Sequence, residues 1–450
     1  MASNQKSMVR DLTEGNVALL LISFAAPLFV SNALQAVYNI VDMIVVGQVI
    51  GGNGMSAVST GGNLLHLLTF LAMGFSSAGQ VIIAKDVGKG DMGAVKRTIG
   101  TMFTLLLGMA LAMSVVCYLI RDLLLSWVNT PAEAYSYTMD YTVICIMGLV
   151  FIYGYNIVSA IMRGMGDSKR PFMFVAIAAI LNMVLDIVFV AFLGMEVMGA
   201  ALATVIGQGF SFLFALFYLY QHRDSFAFDF KPQSFIPDKD TAGRLMALGI
   251  PMALQSAAVS FSQTIVTAWV NSYGVVFSAI GGINGKLNMM VGILSNSMTT
   301  ASASMVGQNL GARKYERIKQ ILGTTFGITA GLACLWIVLL NLFPDVIFGM
   351  FTSDAAVLAS ASVILLPASI NFFGNATRAF AFGIINGSGN TKLNYCVALL
   401  DGIVGRIGFG YLLGFTLALG PIGFWLGDAL AGFMPVCIGG IYLLSGKWKQ

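Results

Sequence analysis

Long apolar runs broken by short polar turns dominate the chain. Twelve of them, at about 18–46, 55–84, 95–119, 134–162, 171–193, 198–220, 244–270, 276–306, 320–343, 356–385, 393–416 and 421–444, reach the roughly 20 residues that a helix needs to cross a bilayer. None alternates apolar and polar positions with the two-residue period of a barrel strand, and in lipid only helices or closed barrels satisfy the backbone. The pattern predicts an all-α polytopic membrane protein with twelve transmembrane helices.

The runs repeat. Pro27 in SFAAPLFVSNALQ answers Pro251 in ALGIPMALQSAAV, Gly88 in AKDVGKGD answers Gly311 in GQNLGARK, and Gly166 in GMGDSKR answers Gly389 in GSGNTKL, each about 223 residues on. A six-helix lobe has been duplicated, as in secondary transporters whose two bundles enclose a central site. The longest polar stretch, Gln221 to Arg244, holds Pro232 and Pro237 and reads as an extended interlobe linker. The expected organisation is a first lobe at 1–220, a linker at 221–243 and a second lobe at 244–450.

Composition excludes a soluble protein: 57% of residues are hydrophobic, 10% are charged, and mean hydropathy is +0.84. All but four of the 24 Lys and Arg lie at the termini or in even-numbered loops; the exceptions are Arg121, Lys286, Arg378 and Arg406. By the positive-inside rule those segments and both termini face the cytoplasm. Topology thus accounts for the net charge of +4, and no nucleic-acid partner is expected. The first seventeen residues carry Lys6, Arg10, Asp11 and Glu14, and the following run is longer than a signal-peptide core, so no cleavage is expected.

The five cysteines all sit in spans without CxxC spacing and read as packing residues. His66 is alone in its span, and His222 falls in the linker. No Walker loop, HExxH or GxSxG is present. An enzyme and a resident cofactor are not expected; the predicted partners are a small organic substrate and membrane lipid, bound by a monomer.

Carboxylates inside spans cost at least about 2.5–3.5 kcal/mol on insertion scales, so each is a functional candidate. In the first lobe Gln35, Tyr38, Asn39 and Asp42 recur at spacings of three and four along one helix face, and Asn182 and Asp186 share another. At a rise of about 1.5 Å per residue, Asp186 lies ~10 Å from the outer end of the fifth span and Thr204 lies ~9 Å down the sixth. Asp42, Asn182, Asp186 and Thr204 can therefore converge in the outward half of the lobe. Two carboxylates close together in low dielectric repel, so one keeps a proton or a cation such as Na⁺ sits between them. Alternatively, each aspartate hydrogen-bonds a neighbouring helix and is structural.

The second lobe does not copy this set. At the repeat offset Asp42 falls on Val266, Asn182 on Gly405, Asp186 on Phe409 and Thr204 on Asp428. It carries instead Lys286, Arg378, Asp401, Arg406 and Asp428 within spans, which either neutralise one another or contact substrate. With 25 Met and 32 Phe in the chain, a cavity would have soft aromatic walls suited to amphipathic and cationic guests.

The motifs LTEGN, PLFVSNALQAVYNIVDMIVVGQ, AIMRGMGDSKRP, LATVIGQ, VGQNLGARKYERIK and INGSGNTK together resemble the multidrug and toxic compound extrusion (MATE) transporters over essentially the whole chain. The resemblance is strongest to the prokaryotic branch. It implies a V-shaped, two-lobe antiporter of a prokaryotic inner membrane that expels organic substrates as Na⁺ or H⁺ enters. It also implies that Asp42, Asn182, Asp186 and Thr204 form the cation site. Gln35, Tyr38, Asn39 and Asn156 would then line the neighbouring cavity, with Asp401, Arg406 and Asp428 as further substrate candidates. A lipid-linked oligosaccharide flippase of the same superfamily is the nearer rival, and a channel or receptor the more distant one.

Overall fold

A computed structural model describes residues 10–128 and 130–449, so Lys6 of the N-terminal charge cluster lies outside the described residues. Every regular element among them is helical. In chain order the main rods are α1 (Val17–Ile50), α2 (Gly52–Lys89), α3 (Met92–Leu119) and the bent pair α4 (Tyr135–Met147 and Leu149–Gly164). They continue with α5 (Lys169–Asp186, running on as the π-helix Ile187–Phe192), α6 (Glu196–Gln221), α7 (Lys239–Asn271), α8 (Val275–Gly311) and α9 (Tyr315–Leu342). The last are α10 (Ser362–Ser388), α11 (Thr391–Leu399, with π-helical Leu400–Gly405 and Leu412–Thr416 around Arg406–Tyr411) and α12 (Pro421–Ala431 and Met434–Ser445).

Nine described helices are long and apolar enough to cross a membrane, and the bent α4 makes a tenth. The other two rods, α8 and α10, occupy the eighth and tenth expected spans. Their hydropathy is diluted by Asn284, Lys286, Asn288 and Asn296 in one and by Asn371, Asn375 and Arg378 in the other.

The duplicated GMGDSK and GSGNTK motifs have one structural cause. Gly166 and Gly389 both adopt left-handed backbone, with φ of 89° and 70°, which a side chain would strain. The residue after each caps the next helix: Asp167 Oδ1 accepts from the Lys169 N–H (3.0 Å), and Asn390 Oδ1 accepts from the Leu393 N–H (3.1 Å). A left-handed glycine ends one span and an Asx cap starts the next.

The chain forms two compact units, and their boundaries differ from the expected 1–220 and 244–450. Among the described residues, one comprises 10–11 and 26–250; the other comprises 12–25 and 251–449. The divisions cut α1 and α7 beside Pro27 and Pro251, where the missing proline N–H breaks the helical ladder. The reassignment follows from local anchoring. The Leu12 N–H donates to Gln308 Oε1 (3.0 Å), and Lys314 Nζ donates to the Thr13 carbonyl (3.1 Å), which ties this segment to the second unit.

The linker belongs to the first unit. Lys96 of α3 pairs with Asp229 at 2.8 Å, the Asp238 N–H donates to Thr101 Oγ1 (3.1 Å), and Thr104 donates to the Phe235 carbonyl. The Lys96 ammonium and the Ser234 hydroxyl hold the Asp229 carboxyl below the ordinary carboxylate range. This anchor is therefore complete at neutral pH, and its contribution is lost only as pH falls below that range towards the depressed folded value. Gly100 lies against the Ser234 carbonyl oxygen with no room for a Cβ. Gly100→Ala should lift the linker from α3, and limited trypsin digestion after Arg223 and Lys239 should accelerate severalfold. Unchanged cleavage would mean that the linker is held elsewhere.

Within the first unit α2 packs on α3 and α4, and α5 and α4 both pack on α6; within the second, α10 packs on α8, α9 and α12. Each has its own apolar core. Val46, Ala57, Val58, Tyr141, Val190, Val197, Ala200 and Ala201 cluster in the first, and Val266, Val270, Ile280, Phe372, Phe424 and Trp425 in the second.

Candidate functional site

Three helices of the first unit deliver the polar cluster. Asp42 on α1 and Asp186 at the end of the α-helical part of α5 are 4% and 0% exposed, and Asn182 and Thr204 are buried with them. Asp186 feels the charge of Asp42, and the Tyr38 hydroxyl lies within the field of both. The Asn182 amide is satisfied when its nitrogen faces Asp186 Oδ2 (3.3 Å) and its oxygen accepts from the Thr204 N–H (3.2 Å). Gly207 makes this approach of α5 and α6 feasible, since a Cβ there would sit 3.2 Å from the Ala178 carbonyl and 3.4 Å from the Asn182 Cβ.

One helical turn further along, the same helices contribute apolar side chains: Val46 follows Asp42, Val190 follows Asp186, and Ala200 precedes Thr204. The polar cluster is thus capped on that side by a dry layer. The layer excludes water and raises the cost of an uncompensated charge beneath it. The π-helix begins at the residue after Asp186; such insertions concentrate at functional sites because they re-aim the adjoining side chains.

Asp42 Oδ1 and Asp186 Oδ1 are buried and accept no hydrogen bond, and neither aspartate forms an ion pair among the described residues. Two carboxylates with free oxygens, flanked by an amide and a hydroxyl, fit a hard cation or a proton.

The neighbouring residues divide. Tyr38 is half-buried and hydrogen-bonded with Gln208, while Gln35 is half-buried and Asn39 is exposed. Asn156 turns back to donate to the Ile152 carbonyl of its own helix (2.8 Å). Two participants escaped the sequence reading. Gln208 lies four residues after Thr204 on the same helix face, a spacing that could have revealed it. Tyr141, hydrogen-bonded with Thr204 and Cys145, comes from α4, whose bend at Gly148 no periodicity announces.

In the second unit the divergence is complete. Val266, at the Asp42 equivalent, packs into the apolar core. Asp401, in the first π segment of α11, accepts from Arg378 (2.6 Å) and Arg406 (3.2 Å); Arg406 also pairs with Asp428, whose other oxygen accepts from Asn371 (3.2 Å). Two arginines and two aspartates form one neutral network, fully buried at Asp401 and open at Asp428 and Arg378, each 15% exposed. Lys286 stands outside it, exposed on α8.

Two repeated helical units with spans long and apolar enough to cross a membrane are the architecture of a membrane transporter. The family model MatE matches residues 27–188 and 251–412, one copy in each repeat, and the chain belongs to this family of multidrug efflux transporters. Two Bacillus subtilis (strain 168) proteins, "Probable multidrug resistance protein YpnP" and "Probable multidrug resistance protein YoeA", are each 28% identical to it. They align over 98% and 95% of this chain and 97% and 94% of their own lengths. The fold is that of "Outward-facing conformation of a multidrug resistance MATE family transporter of the MOP superfamily", with a TM-score of 0.89 at 21% identity over 98% of both chains. "Crystal structure of MATE in the bent conformation" matches at a TM-score of 0.88 over 98% of this chain and 97% of that one. As a member of this family the chain is a transporter, not an enzyme.

Proposed function

We propose that the protein is a cation-coupled antiporter that exports organic, cationic or amphipathic compounds by alternating access, driven by Na⁺ or H⁺ bound at Asp42 and Asp186. The observation that carries this reading is the pair of buried carboxylates, each with one unpartnered oxygen, beneath an apolar layer. A carboxylate retained only for structure would spend both oxygens on neighbouring donors. Asn182 and Thr204 complete the cation set, and Gln35, Tyr38 and Gln208 line its approach. Binding the ion and binding the substrate then favour different states of the protein, so each expels the other by reciprocal linkage.

The flippase alternative needs free basic groups for a pyrophosphate. Arg378 and Arg406 are engaged with aspartates, which leaves Lys286 and favours the antiporter. The deciding experiment reconstitutes the chain in liposomes and imposes Na⁺ and pH gradients separately with a fluorescent organic cation inside. One gradient should drive its exit, with measurable counterflow of that ion. Flux that ignores both gradients would indicate a channel.

The same reading places the linker and C-terminal segment in the cytoplasm of a prokaryotic inner membrane, as the distribution of Lys and Arg requires. Single cysteines at Gln233 or Ser445, in a background without the native ones, should react with impermeant maleimides only after the cells are opened. Labelling in intact cells would reverse the orientation.

A further inference from the structure

The first unit carries a second recess, remote in sequence from the carboxylates and assigned no role above. Phe103 and Leu107 of α3, Leu213, Phe217 and Tyr220 of α6, and Phe230 and Phe235 of the linker wall an almost wholly apolar groove of about 400 Å³. It exists because the linker is pinned. Lys96, Gly100, Phe103 and Leu107 fall at i, i+4, i+7 and i+11 and so form one stripe of α3 facing the linker. Phe228 then stacks on Phe103, Phe235 meets the same ring edge-on, and Phe230 packs edge-on to Tyr220 at 5.4 Å.

The rim differs from the wall. Arg223 lies over the Tyr220 ring at 5.3 Å and forms no ion pair among the described residues. Lys231, next to Phe230, is 69% exposed and reaches Asp229 only at 3.8 Å, because that carboxylate is engaged by Lys96. The acids of the rim are Asp229 and the exposed Asp224. Leu213, Phe217 and Tyr220 are themselves 57%, 56% and 49% exposed, so the groove is open to whatever surrounds α6.

From this juxtaposition we propose that the groove is a binding site for an anionic glycerophospholipid. An acyl chain lies against the aromatic wall, and the phosphate is held by Arg223 and Lys231 at the polar end of the bilayer. The volume accommodates an acyl chain, and at the rim the bases Lys96, Arg223 and Lys231 outnumber the acids Asp224 and Asp229, an excess that selects negative charge at the depth where a headgroup sits. Tyr and Phe at the boundary present the apolar body that this level of the membrane favours. The bound lipid would tie α6 to the linker. The inference does not depend on the coupling ion.

A phosphatidylglycerol probe with a diazirine at the end of one chain, incorporated into proteoliposomes of the full-length protein, tests it. After irradiation, adducts should concentrate in peptides covering 213–220 and 230–235. Unlabelled phosphatidylglycerol should compete them away at roughly tenfold lower concentration than phosphatidylcholine. Arg223→Gln with Lys231→Gln should abolish that preference, since each basic residue near an anionic headgroup contributes about fivefold. These exposed positions leave the fold intact. Labelling spread evenly over lipid-facing residues such as Leu335 and Val338 would overturn the proposal. So would equal competition by both lipids in the unaltered protein, or displacement by an organic cation but not by phosphatidylglycerol, which would make the groove a drug site.

Discussion

Asp186→Asn should abolish ion-driven export while the protein still inserts and folds. The substitution keeps the size of the side chain and its contact with Asn182, and it removes a charge that is costly to bury. What it takes away is an anionic ligand for the cation. Loss of one charge-assisted contact, about 1.5–3 kcal/mol, lowers ion affinity by ~10–150-fold. Substrate should still bind, but its affinity should no longer depend on Na⁺ or pH, because reciprocal linkage vanishes with the site. Asp42→Asn should behave alike. The double variant should be little worse than either single one, since the two carboxylates act on one ion. Efflux of an organic cation from proteoliposomes under each gradient measures the first effect, and substrate titration across Na⁺ and pH the second. Normal pumping by the Asp186 variant would make the carboxylates structural.

Hydrophobic length places ten of the twelve expected spans, because lipid forces every backbone group to be satisfied within its own helix, while polar residues dilute α8 and α10. The convergence of Asp42, Asn182, Asp186 and Thr204 was legible because helical rise converts residue number into depth. Asp186 and Thr204 lie on consecutive helices joined by a short turn at 193–195, which leaves little freedom in their relative height. The unit boundaries were not legible. They depend on Gly100 admitting the Ser234 carbonyl and on Gln308 catching the Leu12 N–H, tertiary contacts that leave no mark in composition. The π segments were equally silent, since an inserted residue in a uniformly apolar helix does not change hydropathy. Asn39, placed with Asp42 by spacing, is exposed in the fold, because spacing defines a face but not its width.

The second unit should answer substitution in the opposite way, through stability before transport. Asp401 is fully buried and is the only residue of its network that binds both arginines. Asp401→Asn leaves Arg378 without its ion-pair partner and Arg406 with one of its two. Breaking a buried pair by removing one partner costs about 3–5 kcal/mol, a large part of the ~5–15 kcal/mol that holds a typical domain together. Yield and thermal midpoint in detergent should both fall sharply. Adding Arg378→Gln should recover part of the loss by removing the stranded cation, a rescue that a purely steric defect would not show. Asp428 sits at the partly exposed end, and Asp428→Asn leaves Arg406 its bond to Asp401, so the loss should be smaller. Its effect should appear instead as an altered range of exported compounds, with ion dependence intact because the coupling carboxylates belong to the other unit. A stable Asp401→Asn protein would refute the structural role of the network, and loss of ion dependence in Asp428→Asn would place a coupling site in the second unit.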